Sequence, residues 1–203
     1  QDDRPNEAHS GRLADVRAMT LSLAAPLSAE DCAVQSMPDA SPTKWHLAHT
    51  SWFFETFVLE PFLGGYVPFD PAYRVLFNSY YVSVGDRHPR PQRGLLTRPS
   101  LADVRRYRGH VDAALENLLC RQGVPPAAAL GLIELGIQHE QQHQELILTD
   151  IQHALSCSPL HPAYLPSRKA AVETAADRRW LRFEGSIVRI GHGGDGFCFD
   201  NEH

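Results

Sequence analysis

Apolar side chains recur every three or four residues in four separate stretches of the chain, which is the spacing of an amphipathic helix. These stretches are residues 10–26, 43–60, 100–122 and 127–155. Ser41 or Thr43 stands where it would cap the second helix, Ser100 precedes the third, and Gly123 follows it. The pattern therefore predicts four helices, of which the second is unusually aromatic.

The segment between the second and third helices is long and irregular. Residues 61–99 are rich in proline, glycine and aromatic side chains. A connection of about 40 residues is far longer than usual, which indicates a functional role rather than a simple spacer. Four helices with one long crossover are typical of a helical bundle, whose core is suited to inward-facing metal ligands.

The character of the sequence changes after the fourth helix. Residues 158–178 contain recurrent prolines and no sustained apolar stripe, as in a linker. Residues 179–203 alternate apolar and polar side chains between glycines, which predicts short strands and turns. Because so short a segment cannot bury a sheet alone, we expect a helical domain at residues 1–157, the linker, and the truncated beginning of a β-rich domain.

Composition narrows the classes of partner. The 19 Lys and Arg residues and 24 Asp and Glu residues give a formal net charge of −5. This balance predicts no broad basic surface for nucleic acid or anionic lipid, so a small-molecule substrate is the better expectation. No apolar run approaches the roughly 20 residues of a membrane helix, and the first residues lack the apolar core of a signal peptide. We therefore expect a cytoplasmic protein, with the reservation that the chain begins at Gln1 without a methionine.

The spacing of the histidines indicates a metal site. His139 and His143 are four residues apart in HEQQH, so they project from the same face of the predicted fourth helix. A third ligand is expected from the second helix, at His46 or His49, and we favour His49. For His46 we expect hydrogen bonding within the core. His153 is a poor candidate, because ten residues beyond His143 places it about 15 Å further along the helix.

The same segment also fits a competing pattern. HEQQH matches the zinc-hydrolase motif HExxH, in which Glu140 would act as the general base. That motif requires a third ligand downstream, yet no GxxH extension follows His143. No glutamate occurs between Glu145 and Glu173 either. A zinc hydrolase is therefore an alternative without a third ligand at a familiar spacing.

Longer motifs carry a resemblance that covers nearly the whole chain. In order, they are VQSMPDASPTKWHLAHTSWFFETFVL, FNSYY, RHPRPQRGLLTRPS, HEQQHQELIL and GFCFDNEH. In these motifs the chain closely resembles the sulfoxide synthases of ergothioneine biosynthesis. The resemblance implies a mainly α fold: a DinB-like four-helix bundle, then the start of a β-rich domain similar to the formylglycine-generating enzyme, of the C-type-lectin type.

The resemblance implies a cofactor and a reaction. By motif, His49, His139 and His143 correspond to the three histidines that hold a non-haem Fe(II) in that family. The implied reaction is the O2-dependent joining of a cysteine-type thiol, cysteine or γ-glutamylcysteine, to the imidazole of hercynine, giving a sulfoxide. The family's catalytic tyrosine belongs to the second domain. We therefore expect this chain to turn over little by itself.

Three further residues are candidates for substrate binding. Gln142 adjoins the ligand His143, and the family's motif suggests that it contacts hercynine directly or through water. Arg87 and Arg90 in the long connection are suited to pair with the carboxylate of the thiol substrate through their planar guanidinium groups. Arg93 could equally serve.

Related activities remain as alternatives. Selenoneine and ovothiol synthases resemble this chain and use a selenium donor or histidine instead. A DinB-like metal-dependent thiol transferase shares the bundle and the three histidines but lacks the FDNE-type second domain. The GFCFDNEH run argues against this alternative. A metal-stabilised interaction module is the non-enzymatic alternative, and it would hold zinc without consuming oxygen.

Overall fold

The computed structural model describes residues 4–120, 125–166, 178–194 and 196–202. In these residues the helices are α1 (Arg4–Ala24), α2 (Thr43–Phe54), α3 (Glu60–Phe62), α4 (Tyr73–Leu76), α5 (Leu101–Cys120) and α6 (Ala127–Ser156). The chain divides into two compact units, Gln1–Pro166 and Ser167–His203. Among the described residues, no helix combines the length and the apolar character needed to cross a membrane.

The four long helices form a bundle in the first unit. Helix α1 packs against α5 and α6, and α2 packs against the same two helices. Their inward faces share one apolar core, which includes Leu13, Val16, Trp52, Phe54, Val104, Tyr107, Val111, Leu115, Ile133 and Ile137. The prediction of a mainly helical domain is confirmed, because the three-to-four-residue apolar period marks the faces that the bundle buries.

Of the two predicted N-terminal helix caps, the one at Ser100 is confirmed and the one at Ser41 or Thr43 is wrong. Ser100 and Asp103 cap α5 reciprocally: the Asp103 amide donates to Ser100 Oγ at 3.2 Å and the Ser100 amide to Asp103 Oδ2 at 2.9 Å. The cap predicted for α2 at Ser41 or Thr43 is wrong, because the helix begins after Pro42 with no side-chain cap. The expected end of the third helix at Gly123 lies outside the described residues.

Helix α2 continues beyond Phe54 through a wider turn, Glu55–Leu59, into α3. The long connection that follows contains α4 and two short turns of 3₁₀ helix, Val82–Val84 and Arg90–Leu95. Two tryptophans of α2 hold its first part in place. Trp52 Nε1 donates to the Arg74 carbonyl and Trp45 Nε1 to the Leu76 carbonyl, each at 3.2 Å.

The second unit does not contain the predicted strands in its described residues. Between residues 178 and 202 the regular element is one short 3₁₀ turn, Asp200–Glu202. The apolar side chains expected to face a sheet, such as those of Trp180 and Ile187, are fully exposed. The prediction of strands in residues 179–203 is therefore wrong for these residues, because strands form only where a neighbouring strand pairs with them.

Candidate metal centre

Three buried histidines from two helices converge in the bundle core. His49 of α2 and His139 and His143 of α6 each offer a ring nitrogen within 4.8 Å of those of the other two. The three ring centroids lie 4.6–5.0 Å apart. Residues four apart on a helix share a face, so α6 presents two imidazoles to the single imidazole of α2. This group could hold a metal ion.

The hydrogen bonds of these imidazoles suit a metal ligand set. His49 Nδ1 donates to the Phe77 carbonyl at 2.6 Å, which leaves Nε2 with a free lone pair. His143 Nδ1 lies 2.8 Å from His46 Nδ1. His139 Nδ1 is buried and has no hydrogen-bond partner among the described residues. A buried polar nitrogen without a partner is costly, and metal binding would remove that cost. The three residues therefore fit a divalent metal ion.

Burial keeps these imidazoles neutral. Removal from water lowers the pKa of His139 to about 4, although the charge of Glu140 opposes the shift. Burial likewise lowers the pKa of His49 and His143 well below the ordinary histidine value. Only the neutral imidazole binds a metal, so the group is in its binding form at neutral pH.

A cation lies close to the histidines. The ring of Trp45 stacks on His49 with centroids 4.6 Å apart, and the Arg93 guanidinium carbon lies 3.3 Å from the Trp45 ring centroid. Arg93 is 5% exposed; it donates to Ser41 Oγ at 2.8 Å, and its Nε has no partner in the described residues. Burial, together with the charges of Arg90 and Arg87, lowers the pKa of Arg93 to about 9. Arg93 is thus a buried cation with an unused donor.

A cavity of about 720 Å³ adjoins two of the candidate metal ligands and brings the predicted substrate residues together. Its walls include His139 and His143 together with Arg87, Arg90 and Gln142. Arg93, Trp45, His46 and Tyr80 also line it. Helix α6 supplies the ligands and Gln142, and the long connection supplies the arginines. The cavity therefore combines two candidate metal ligands with three cationic side chains, a composition suited to an anionic small molecule.

Glu140, the general base of the HExxH alternative, is occupied elsewhere. Its carboxylate is fully buried and accepts hydrogen bonds from Arg17 at 3.0 Å and Arg108 at 2.9 Å. Burial alone would raise the pKa of Glu140, but the charges of the two arginines lower it to about 2. A carboxylate held between two guanidinium groups is a poor proton acceptor. The zinc-hydrolase alternative is therefore not supported.

Two polar residues, His46 and Asp150, lie behind the candidate metal ligands, and the sequence predicted a role for the first alone. His46 hydrogen-bonds within the core, as expected, and its Nε2 lies 3.0 Å from Asp150 Oδ2. Asp150 was missed, although its position seven residues after His143 places it two turns further along the same helix face. His153 is not part of this group, since its Nδ1 pairs with Ser36 Oγ at 2.7 Å.

The sequence of the bundle matches a known protein family. Residues 12–147 match the DinB superfamily, whose domains often bind metal ions. No curated protein matches the chain. The match stops before residues 179–203, so it does not bear on the β-rich domain that the sequence suggested. Because it covers more than half of the chain and includes all three histidines, the chain belongs to the DinB superfamily.

Proposed function

We propose that the protein is an Fe(II)- and O2-dependent sulfoxide synthase that joins a cysteine-type thiol to the imidazole of hercynine. The observation that carries the proposal is the convergence of His49, His139 and His143 beside a cavity lined with arginines. The five motifs shared with the ergothioneine synthases support the choice of reaction. The proposal includes a cytoplasmic location, a helical domain at residues 1–157, and a formylglycine-generating-enzyme-like domain that begins near residue 179.

Three neutral imidazoles suit the proposed cofactor. They leave the full dipositive charge of the ion in place and leave coordination positions open for small ligands. When bound, Fe(II) would supply one-electron chemistry with O2 and would lower the pKa of a bound thiol. The protein's own contribution is to hold the two organic substrates in a fixed orientation and to exclude water from the cavity.

The reaction balances without a further reductant. The thiol loses its S–H hydrogen, the imidazole loses one C–H hydrogen, and a C–S bond forms. One oxygen atom of O2 becomes the sulfoxide oxygen and the other leaves as water with the two hydrogens. The sulfur substrate and the imidazole together lose four electrons, which is the number that O2 accepts.

Arg93 joins Arg87 and Arg90 as a proposed carboxylate-binding residue. Arg93 is the most buried of the three, and its Nε has no partner among the described residues. The other two already donate to backbone carbonyls, Arg87 to Ser79 and Arg90 to Asp39. A planar guanidinium with an unused donor can pair with a carboxylate in two-point geometry. Gln142 remains the proposed contact for hercynine.

The test uses the native protein, with any residues that flank this chain, loaded with Fe(II) without oxygen. We expect O2 consumption only when hercynine and a thiol are both present, with a C–S product whose mass equals the two substrates plus one oxygen minus two hydrogens. Cysteine, γ-glutamylcysteine and a selenosugar compared as donors, and hercynine and histidine compared as acceptors, would separate the synthases of ergothioneine, selenoneine and ovothiol.

Replacement of a ligand gives the matched control for that test. His49→Ala should abolish iron binding and product formation together, whereas His153→Ala, at a histidine outside the site, should change neither. If no donor yields a C–S or C–Se product with iron-loaded protein, the synthase proposal is wrong.

A metal-dependent thiol transferase is the second candidate. Membership of the DinB superfamily favours it, as does the absence of strands in the described part of residues 178–202. Such an enzyme would transfer a thiol to an electrophile. A C–S bond forms, the S–H proton is released, a leaving group such as chloride departs from the electrophile, and no O2 is consumed. Thiol loss without oxygen uptake, measured with a model electrophile such as monochlorobimane, would favour this candidate.

A further inference from the structure

The three candidate metal ligands differ in what holds their second nitrogen. His49 Nδ1 donates to a backbone carbonyl, and His139 Nδ1 has no partner in the described residues. His143 instead begins a chain of hydrogen bonds that crosses from α6 to α2 and returns. Its Nδ1 lies 2.8 Å from His46 Nδ1, and His46 Nε2 lies 3.0 Å from Asp150 Oδ2. His46, His143 and Asp150 are each less than 10% exposed.

The donor and acceptor in each of these hydrogen bonds follow from the state of Asp150, the last residue of the series. Asp150 Oδ2 also accepts the Ser41 amide at 2.8 Å, which requires a lone pair at that oxygen. Burial alone would raise the pKa of Asp150, but the hydrogen bonds from His46 and Ser41 lower it below the ordinary value, so the group is a carboxylate. A carboxylate only accepts hydrogen bonds. His46 Nε2 must therefore carry a proton and donate it to Asp150.

The tautomers of both histidines are then determined. An imidazole that holds its one proton on Nε2 carries a lone pair on Nδ1 and accepts a hydrogen bond there. The partner nitrogen, His143 Nδ1, must carry the proton of that bond. The lone pair of neutral His143 is consequently at Nε2. The geometry at His143 gives the same assignment, because its Nδ1 is engaged by His46 and only Nε2 is left to bind a metal ion.

We propose that His46 and Asp150 are positioning residues of the metal centre, which hold His143 in the tautomer that binds metal through Nε2 and strengthen it as a ligand. The inference rests on the metal site of the proposed function and not on the reaction. Charge from Asp150, passed through two hydrogen bonds, makes His143 a better electron donor than His49, which faces a neutral carbonyl. His46 itself does not bind the ion, since both of its nitrogens are engaged.

The helix geometry makes this arrangement rigid. His143 and Asp150 lie two turns apart on α6, and His46 lies one turn from His49 on α2. His143, His46 and Asp150 therefore all lie on the two helices that supply the proposed ligands, and none of them lies on a loop. Two turns of helix separate the ends of the chain by about 10 Å, a span that one intervening imidazole bridges between its two neighbours.

The test measures Co²⁺ affinity of the full chain by competition with a chelator, in the absence of any substrate. His46→Leu replaces the imidazole with an apolar side chain that makes no hydrogen bond, and it should lower the Co²⁺ affinity 10–100-fold. His46→Gln can accept from His143 and donate to Asp150, so it should recover most of that loss. His153→Leu replaces a histidine of α6 that is bonded to Ser36 and lies outside this group, so it is the matched control and should bind like the native protein.

A spectroscopic measurement on the native protein keeps the inference testable even if a variant does not fold. In the metal-free protein labelled with ¹⁵N-histidine, His143 should show a protonated Nδ1 and a free Nε2, and His46 the opposite tautomer. On addition of Zn²⁺ the shift of His143 Nε2 should change, while His46 should retain its pattern.

The outcomes separate this inference from the proposed function. If native protein binds no Co²⁺, the metal site fails and the inference fails with it. If native protein binds Co²⁺ and folded His46→Leu binds within about twofold of it, far short of the loss expected for a second-sphere residue, only the inference is overturned. Direct coordination of His46, or coordination of His143 through Nδ1, would also overturn it.

Discussion

Two buried polar clusters share helix α6, and they differ in how their charges are balanced. Around Glu140, the buried guanidinium groups of Arg17 and Arg108 are balanced by two carboxylates, those of Glu140 and Asp112, so the charges neutralise one another without any ligand. Around His139, the imidazoles are neutral and one buried nitrogen has no partner in the described residues. The residues are adjacent in sequence, yet the helix directs them about 100° apart. The paired charges make the first a closed cluster with a structural role, whereas the neutral imidazoles beside a cavity make the second an open cluster suited to binding.

The largest effect on stability is expected at the closed cluster. Glu140→Ala would remove the carboxylate that pairs with buried Arg108 and one of the two that pair with Arg17, so the free energy of unfolding should fall by about 3–5 kcal/mol. Urea denaturation followed by circular dichroism would measure it. Glu145→Ala, at an exposed glutamate of the same helix, should change stability little. A folded Glu140→Ala protein of native stability would show that Glu140 is not structural.

The next effect concerns the close approach of α6 to α2, which supports both clusters. A Cβ atom at Gly136 would lie 2.4 Å from Phe54 Cε1, so Gly136→Ala must displace a buried aromatic ring. Overpacking of this kind should lower the free energy of unfolding by about 1–3 kcal/mol and weaken metal binding.

Gly131→Ala is the control for that substitution. Gly131 lies on the same helix, with nothing within 4 Å of an added Cβ, so alanine there should raise stability by up to about 1 kcal/mol. Equal destabilisation by both substitutions would contradict the role assigned to close helix packing.

A smaller effect is expected from an ion pair at the surface. Arg12 contacts Glu134 through both terminal nitrogens, at 2.7 and 2.8 Å, but its side chain is 49% exposed. Solvent screens such a pair, so Arg12→Ala should cost about 0.2–1 kcal/mol. Thermal unfolding at low and high salt would show whether the difference from native protein shrinks as salt increases. A loss as large as that at Glu140 would contradict the distinction between buried and exposed pairs.

At the open cluster around His139 we expect a small change in the free energy of unfolding together with the largest change in metal binding. His139→Leu removes a buried nitrogen that has no partner and replaces the ring with an apolar side chain. The metal-free protein should therefore stay within about 1 kcal/mol of native stability. Metal binding, measured by dialysis and elemental analysis, should be lost. Retained binding would exclude His139 as a ligand.

The extent of the fold was largely predictable, because helix formation follows local periodicity. The four apolar stretches correspond to α1, α2, α5 and α6, and the Ser100 cap was foreseen from its position before the third stretch. The Ser41 cap was not, since Ser41 instead donates to Asp150 and accepts from Arg93, partners 109 and 52 residues away. The strands of residues 179–203 could not be judged from alternation alone, because pairing depends on a neighbouring strand.

Local spacing along the chain was enough to predict the helices and the shared face of His139 and His143, since a spacing of four residues on a helix admits one geometry. The tertiary structure set the surroundings of that face. It brought His49 to the pair, turned Glu140 towards two arginines, and set Asp150 behind His143 through His46. Each of these contacts joins residues on different helices, and local spacing carries no information about which helix faces which.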